Sequence, residues 1–181
     1  MEITNLTKTT PYPSYDPITV QPMRDELTSV GCKELLTPQD VDKALDRHDD
    51  KTLLVVINSV CGCSAGSARP AVMVALQNSI IPDELYTLFG GMEKDAIDRY
   101  RSKYLSNYMP SSPHIALFRN GEPVAVFQRS DIEGHKAESI ANEWITIFNK
   151  ECTHAGPSIS AKDFEKVTKG KYGCYTDSSR N

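Results

Sequence analysis

The sequence predicts an α/β fold, with a central mixed β-sheet of about four strands flanked by helices, an N-terminal arm or helix before it and a C-terminal tail after it. Three observations carry this. The run 52–60 (TLLVVINSV) is continuously apolar and β-branched rather than alternating, the pattern of a strand covered on both faces in a parallel sheet. Helical and strand patterns alternate around it. Asn120-Gly121, set between two short apolar runs, marks a tight hairpin and so an antiparallel edge.

The elements follow in order. Residues 1–22 contain Pro11, Pro13, Pro17 and Pro22 among Ser and Thr, and read as an extended arm. Residues 23–30 suit a short helix stopped by Gly31. Thr37-Pro38 opens the next helix: Thr37 caps it, Pro38 sits where a missing N–H does no harm, and Asp40 completes the capping pattern. After the 52–60 strand, residues 66–77 read as a helix with Val72, Met73, Ala75 and Leu76 on its apolar side, and Pro70 kinks it if interior. A strand at 85–89 precedes an amphipathic helix at 93–108, which places Ile97, Tyr100, Tyr104 and Leu105 on one side. Strands 114–118 and 124–127 form the hairpin. Helix 136–150 closes the domain with Ile140, Ala141, Trp144, Ile145 and Phe148. The domain thus spans 23–152. The segment 153–181, rich in Gly, Ser, Thr and Lys, reads as an appended tail, weakly structured at best.

Composition excludes several function classes. The chain has 181 residues and a formal charge of −4, with no Lys/Arg block, so nucleic acid is a poor partner. The longest apolar run, 53–57, is far below the about 20 residues that span a bilayer, so no membrane association is expected. The N-terminus lacks an apolar stretch behind a basic start, which argues against a secretory leader. Five cysteines, irregularly spaced, do not form a secreted disulfide framework, and the expected location is the cytoplasm, with free thiols.

Against that background Cys61-Gly62-Cys63 stands out. Cys61 lies where the buried strand hands over to a helix, whose partial positive charge and free N–H groups favour a thiolate over a thiol. The thiolate attacks disulfides, and a second thiol two residues on can resolve the product. Residues i and i+2 point about 200° apart in a regular helix, so a direct bond needs a turn-like backbone, which Gly62 allows. The small ring should be strained and easily reduced, which suits swapping or removing disulfides. C-x-C alone is a weak signal. Two core cysteines acting as small hydrophobes share it, as does a metal or iron–sulfur carrier, although a tetrahedral site needs about four ligands and His114, His135 and His154 are scattered. A non-catalytic binding module is a third class. Pro110-Ser111-Ser112-Pro113 is the second notable element, either a plain loop terminator or a cis-proline loop facing the cysteines.

The segment VINSVCGCSAGSARPAV (56–72) resembles the active-site segment of the bacilliredoxins, a thioredoxin-fold family. The likeness extends through QPMRDELTSVGCKELLTPQDVDKAL (21–45), YMPSSPHIALFRNGEPV (108–124) and RSDIEGHKAE (129–138), and covers roughly residues 20 to 152. It implies a thioredoxin-like fold and a thiol–disulfide oxidoreductase that removes bacillithiol, a cysteinyl-glucosaminyl-malate thiol, from proteins carrying it as a mixed disulfide. Protein disulfide isomerase or reductase activity is the alternative. By resemblance, Cys61 is the nucleophile and Cys63 the resolving cysteine. Pro113 is the cis-proline that contacts the bound partner, with Ser112 before it, and Gly62 and Ser64 border the same surface. No bound cofactor is implied. The small thiol is a cosubstrate, and the partners are S-thiolated client proteins and a recycling thiol or disulfide reductase. The malate carboxylates suit Arg69 or Arg129, though both arginines equally suit a solvated face. The chain departs from the family in its tail with Cys174, in Cys32 where a larger apolar residue is expected, and in Ser64 and Ser67 where Ala and Asn are often found.

Overall fold

A computed structural model of the chain describes residues 12–169. In chain order these form helix α1 (Pro17–Thr28), strand β1 (Lys33–Glu34), helix α2 (Pro38–Leu45) and strand β2 (Thr52–Asn58). A wide-turned π-helix (Ser64–Ala68) runs into α3 (Arg69–Ala75), followed by β3 (Ile80–Ile81) and β4 (Glu84–Phe89). Helix α4 (Lys94–Arg99) runs into a second π-helix (Tyr100–Tyr104), and the hairpin of β5 (His114–Arg119) and β6 (Glu122–Phe127) comes next. Helices α5 (Arg129–Ile132) and α6 (Ala137–Glu151), strand β7 (His154–Ala155) and helix α7 (Ala161–Thr168) follow.

Strand β2 is the middle of a five-stranded sheet ordered β1-β4-β2-β5-β6. It pairs parallel with β4 and antiparallel with β5; β4 pairs parallel with β1, and β5 antiparallel with β6. All seven residues of β2 are buried, as its continuous apolar pattern requires when layers cover both faces. One layer is α3 and α6, with Met73, Leu76, Trp144 and Phe148 against Leu54 and Val56. The other is α2, α4 and the π-helix after it, with Val41, Ile97 and Tyr100 against Leu53, Val55 and Ile57. The fold is thioredoxin-like. Strands β1, β3 and β7 are missing from the sequence reading, each of two residues and too short to leave a pattern.

Local signals behave as their chemistry dictates. Thr37 and Asp40 form the reciprocal capping box at α2. Asn120 and Gly121 both take positive φ, at 54° and 77°, the conformation a two-residue hairpin turn needs.

Two expectations change. The arm expected to reach residue 22 gives way to helix at Pro17: Asp16 accepts a hydrogen bond from Ile18 N at 2.8 Å, and Pro17 occupies the first turn. Pro22 lies inside α1, where it removes one N–H donor from the helix. The 153–181 segment is not loose as far as residue 169. Strand β7 pairs antiparallel with β3, and α7 starts at Ser160, which caps Asp163 N at 3.1 Å. Phe164, 5% exposed, enters the core layer containing α3 and α6. Phe164→Ala is therefore expected to cost about 3 kcal/mol, as for buried aromatics generally, read as a fall in the urea midpoint. A change within about 0.5 kcal/mol, typical of a surface site, would show that α7 is not part of the core.

Candidate active site

The end of β2 delivers Asn58, Ser59, Val60 and then Cys61, and helical backbone begins at Gly62. Cys61 and Cys63 are joined by a disulfide, with their Cα atoms 5.4 Å apart. The bond closes because Cys61 stands just outside the helix. Gly62 itself is not among the glycines with positive φ, so the turn-like backbone expected at this residue is not used. A Cβ on Gly62 would meet nothing within 4 Å apart from its chain neighbours, so Gly62 faces open space. Both cysteines are half-buried, so an incoming molecule can reach them.

The two sulfurs are not equivalent. Ser59 Oγ donates to Cys61 Sγ at 3.1 Å, and Ser64 N donates to the same sulfur at 3.3 Å. Among the described residues no such donor reaches Cys63 Sγ. Donors aimed at a sulfur stabilise its anion more than its thiol, so the surroundings favour Cys61 as the charged species once the bond is reduced. Behind these donors lies a buried polar cluster. Asn58 Oδ1 accepts from Ser59 N at 2.8 Å, from Ser64 Oγ at 3.0 Å and from Arg69 Nη1 at 3.1 Å. Asn58 Nδ2 donates to Met23 O of α1 at 2.8 Å. The π-helix shapes this cluster. Arg69 N donates to Ser64 O, five residues back, and the wide turn brings Arg69 over Ser64 just before Pro70, which has no N–H to offer.

Several sequence assignments are thereby revised. Ser64 is 0% exposed, so its side chain cannot touch a substrate. It contributes its backbone N–H to Cys61, and its hydroxyl to Asn58. Arg69, offered as a partner for malate carboxylates, is 3% exposed and bonded to Glu26, Asn58, Ser59 and Ser64, so no incoming carboxylate can reach it. Arg129 is exposed and paired with Glu133 at 3.0 Å. Asn58, Ser59 and Glu26 were not singled out from the sequence, and a polar Asn-Ser pair ending an otherwise apolar strand was the available signal.

The Ser112–Pro113 bond is cis. His114 pairs with Ile57 in the β2–β5 register, which sets this loop beside the end of β2. Pro113 is buried and Ser112 half-exposed, so Ser112 is the member of the pair that faces outward. Ser112 borders a cavity of about 300 Å³ together with Gly90, Lys94 and Arg101.

The remaining described cysteines are interior. Burial pushes the Cys32 thiol up to about 12, and it raises that of Cys152. Cys174 lies outside the described residues. After reduction, Cys61 is expected to alkylate at least about tenfold faster than Cys32 or Cys152 at neutral pH, as read by peptide mapping. Equal, slow labelling of all of them would contradict this site. Among the described residues, no group of three or more His, Cys, Asp or Glu side chains could hold a metal ion, and no helix is long and apolar enough to cross a membrane.

Residues 15–152 match the family model described as Disulphide isomerase. Two bacilliredoxins of Salinibacter ruber are 46% and 47% identical over 151 and 152 residues, covering 83% of this chain and 86% and 87% of theirs. The chain belongs to the bacilliredoxin family. A bacilliredoxin of Staphylococcus aureus is 45% identical over 133 residues, 74% of this chain and 90% of its own. Among solved structures, thioredoxin from Fasciola hepatica matches 64% of this chain and 98% of its own at 19% identity, with a TM-score of 0.42. Membership of this family makes the protein a thiol–disulfide oxidoreductase.

Proposed function

We propose that the protein removes bacillithiol, or a related small thiol, from mixed disulfides on client proteins, using Cys61 and Cys63. The observation that carries this is the asymmetry at the disulfide: two donors converge on the sulfur of half-buried Cys61. In the reduced protein the Cys61 thiolate attacks the bacillithiol sulfur. The client–bacillithiol bond breaks, and the client sulfur leaves as a thiolate that takes a proton from water. The product is a Cys61–bacillithiol disulfide. Cys63, as thiolate, then attacks Cys61 Sγ and expels bacillithiol, closing the Cys61–Cys63 bond. The two electrons that reduced the client come from this pair, and a second thiol or a disulfide reductase restores it. No bound cofactor takes part.

Ser112 is half-exposed on the loop that the β2–β5 register sets beside the end of β2, and Gly62 is exposed between the cysteines; on this reading the client backbone lies along them. A second reading, isomerisation or reduction of protein disulfides, draws support from the name of the matching family model. One assay separates the two. The reduced protein is mixed with a client carrying bacillithiol, with the same client carrying glutathione, and with a scrambled disulfide protein. Release of bacillithiol well above the other two rates supports the proposal. Faster rescue of the scrambled protein would replace it with the isomerase reading.

A further inference from the structure

We infer that Arg69 is a positioning residue for the Cys61 sulfur, and that Glu26, reaching in from α1, sets how much of the guanidinium's charge this sulfur feels. The inference rests on the reading of Cys61 as the attacking sulfur.

Arg69 lies beneath the active-site loop. Its Nη1 donates to Ser59 O at 3.0 Å, to Asn58 Oδ1 at 3.1 Å and to Ser64 Oγ at 3.2 Å. Ser59 and Ser64 are the two residues that donate to Cys61 Sγ. The cation is thus one residue away from the sulfur along two separate routes. Removing a guanidinium from water is expensive, and a loop can be fixed by neutral groups alone. What a buried cation adds is a field, and a cation near a sulfur favours its anion.

Glu26 is the counterweight. Its Oε2 accepts from Arg69 Nε at 2.8 Å, yet its side chain is 38% exposed against 4% for that of Arg69. Water screens the carboxylate far more than the guanidinium, so the pair presents net positive potential to the loop residues Ser59 and Ser64 that flank the Cys61 sulfur. Because Glu26 belongs to α1, and Asn58 Nδ2 also binds Met23 O there, that helix is coupled to the site by charge as well as by contact. The other charged groups nearby are exposed: Asp25, Lys166 and Lys169, which line a cavity with Glu26 on its solvent side, His135, whose carbonyl accepts from Ser67 Oγ at 2.8 Å, Lys136 beside it, and the Arg129–Glu133 pair after the cis-proline loop.

The test measures, in the reduced full chain, the pH at which half of Cys61 is thiolate, from alkylation rates mapped to that residue. Glu26→Gln keeps the shape and removes the opposing charge, so the midpoint is expected to fall by about half a pH unit. Arg69→Met is expected to raise it by about one to two pH units, and Arg69→Lys to restore most of that shift. Opposite movements cannot come from loosened packing, which would lower the melting temperature in both variants without separating their midpoints. If Arg69→Met does not fold, Glu26→Gln decides alone, and a midpoint unchanged or raised overturns the inference. Failure of the underlying reading looks different. It would appear as undiminished bacillithiol release by Cys61→Ser, while Glu26→Gln and Arg69→Met would still shift the Cys61 midpoint in opposite directions.

Discussion

Cys61→Ser is expected to abolish release of the small thiol, by at least about 10³-fold, because it removes the only step that opens the client disulfide. Cys63→Ser is expected to behave differently. It keeps the sulfur that receives hydrogen bonds from Ser59 Oγ and Ser64 N, so one turnover can still free the client. It loses the thiol that would expel bacillithiol from Cys61. The variant should therefore release client stoichiometrically and accumulate a Cys61 adduct, visible as added mass on the intact protein and cleared by an external thiol. Serine at either position leaves the core untouched, because both cysteines are half-buried at the surface, so loss of activity should come without loss of stability. The pair of outcomes matters more than either alone. An adduct on Cys63 in the Cys61→Ser protein, with client release intact, would reverse the roles of the two sulfurs and would make the hydrogen bonds to Cys61 a feature of the oxidised state only.

Much of this was legible in the sequence where one interaction dominates locally. The unbroken apolar run of β2 has a single cause, burial on both faces, and all of its residues are buried. Thr37-Pro38 and Asn120-Gly121 are likewise self-contained, since the partners of each signal lie within three residues. The family resemblance pointed to the cysteines and to the cis bond before Pro113. What stayed hidden depends on distant partners. Phe164 looks like a lone aromatic in a polar tail until α3 and α6 provide the layer it enters. Asp16-Pro17 obeys the same capping grammar as Thr37-Pro38, but the neighbouring prolines favour an extended arm over a helix when the sequence is read alone. Arg69 depends on distant partners in the same way as Phe164. Arginine is normally solvated, and only α1 and the π turn show that four partners await it inside. Ser64 shares that history: two residues after a surface glycine it reads as accessible, and the wide turn places it under the loop.

Acid should destabilise the protein well above the range where carboxylates act, through His114. This residue opens β5 directly after Pro113 and is 2% exposed. Burial is the main cause that lowers it from 6.5 to about 4, and the charge of Arg101 acts in the same direction. Its ring meets Tyr100 Oη at 3.4 Å and packs edge-on against that buried tyrosine, which gives a neutral imidazole a partner without offsetting a positive one. Above about pH 6.5 the ring is neutral in both folded and unfolded chains, and the fold keeps its full stability. As pH falls from there toward 4, the unfolded chain takes up a proton that the folded chain refuses, so stability is lost. Below about 4 both forms are protonated and the loss is complete. At 1.36 kcal/mol per pH unit the difference amounts to about 2 kcal/mol between pH 7 and pH 5, and about 3 kcal/mol by pH 4. The depressed carboxylates, Asp40, Asp42, Asp49, Asp83, Glu84 and Glu133, release their contributions only as pH drops below their ordinary range near 4, so the upper part of the window belongs to His114. Urea unfolding at pH 7, 6 and 5 measures the slope, and His114→Gln should flatten it whatever it costs at pH 7. A slope that survives this substitution would mean that the strand carrying the proline loop is not the acid-sensitive part of the fold. A slope that disappears would tie loss of stability to the segment packed beside the end of β2, and active-site integrity would then be expected to fail over the same pH range.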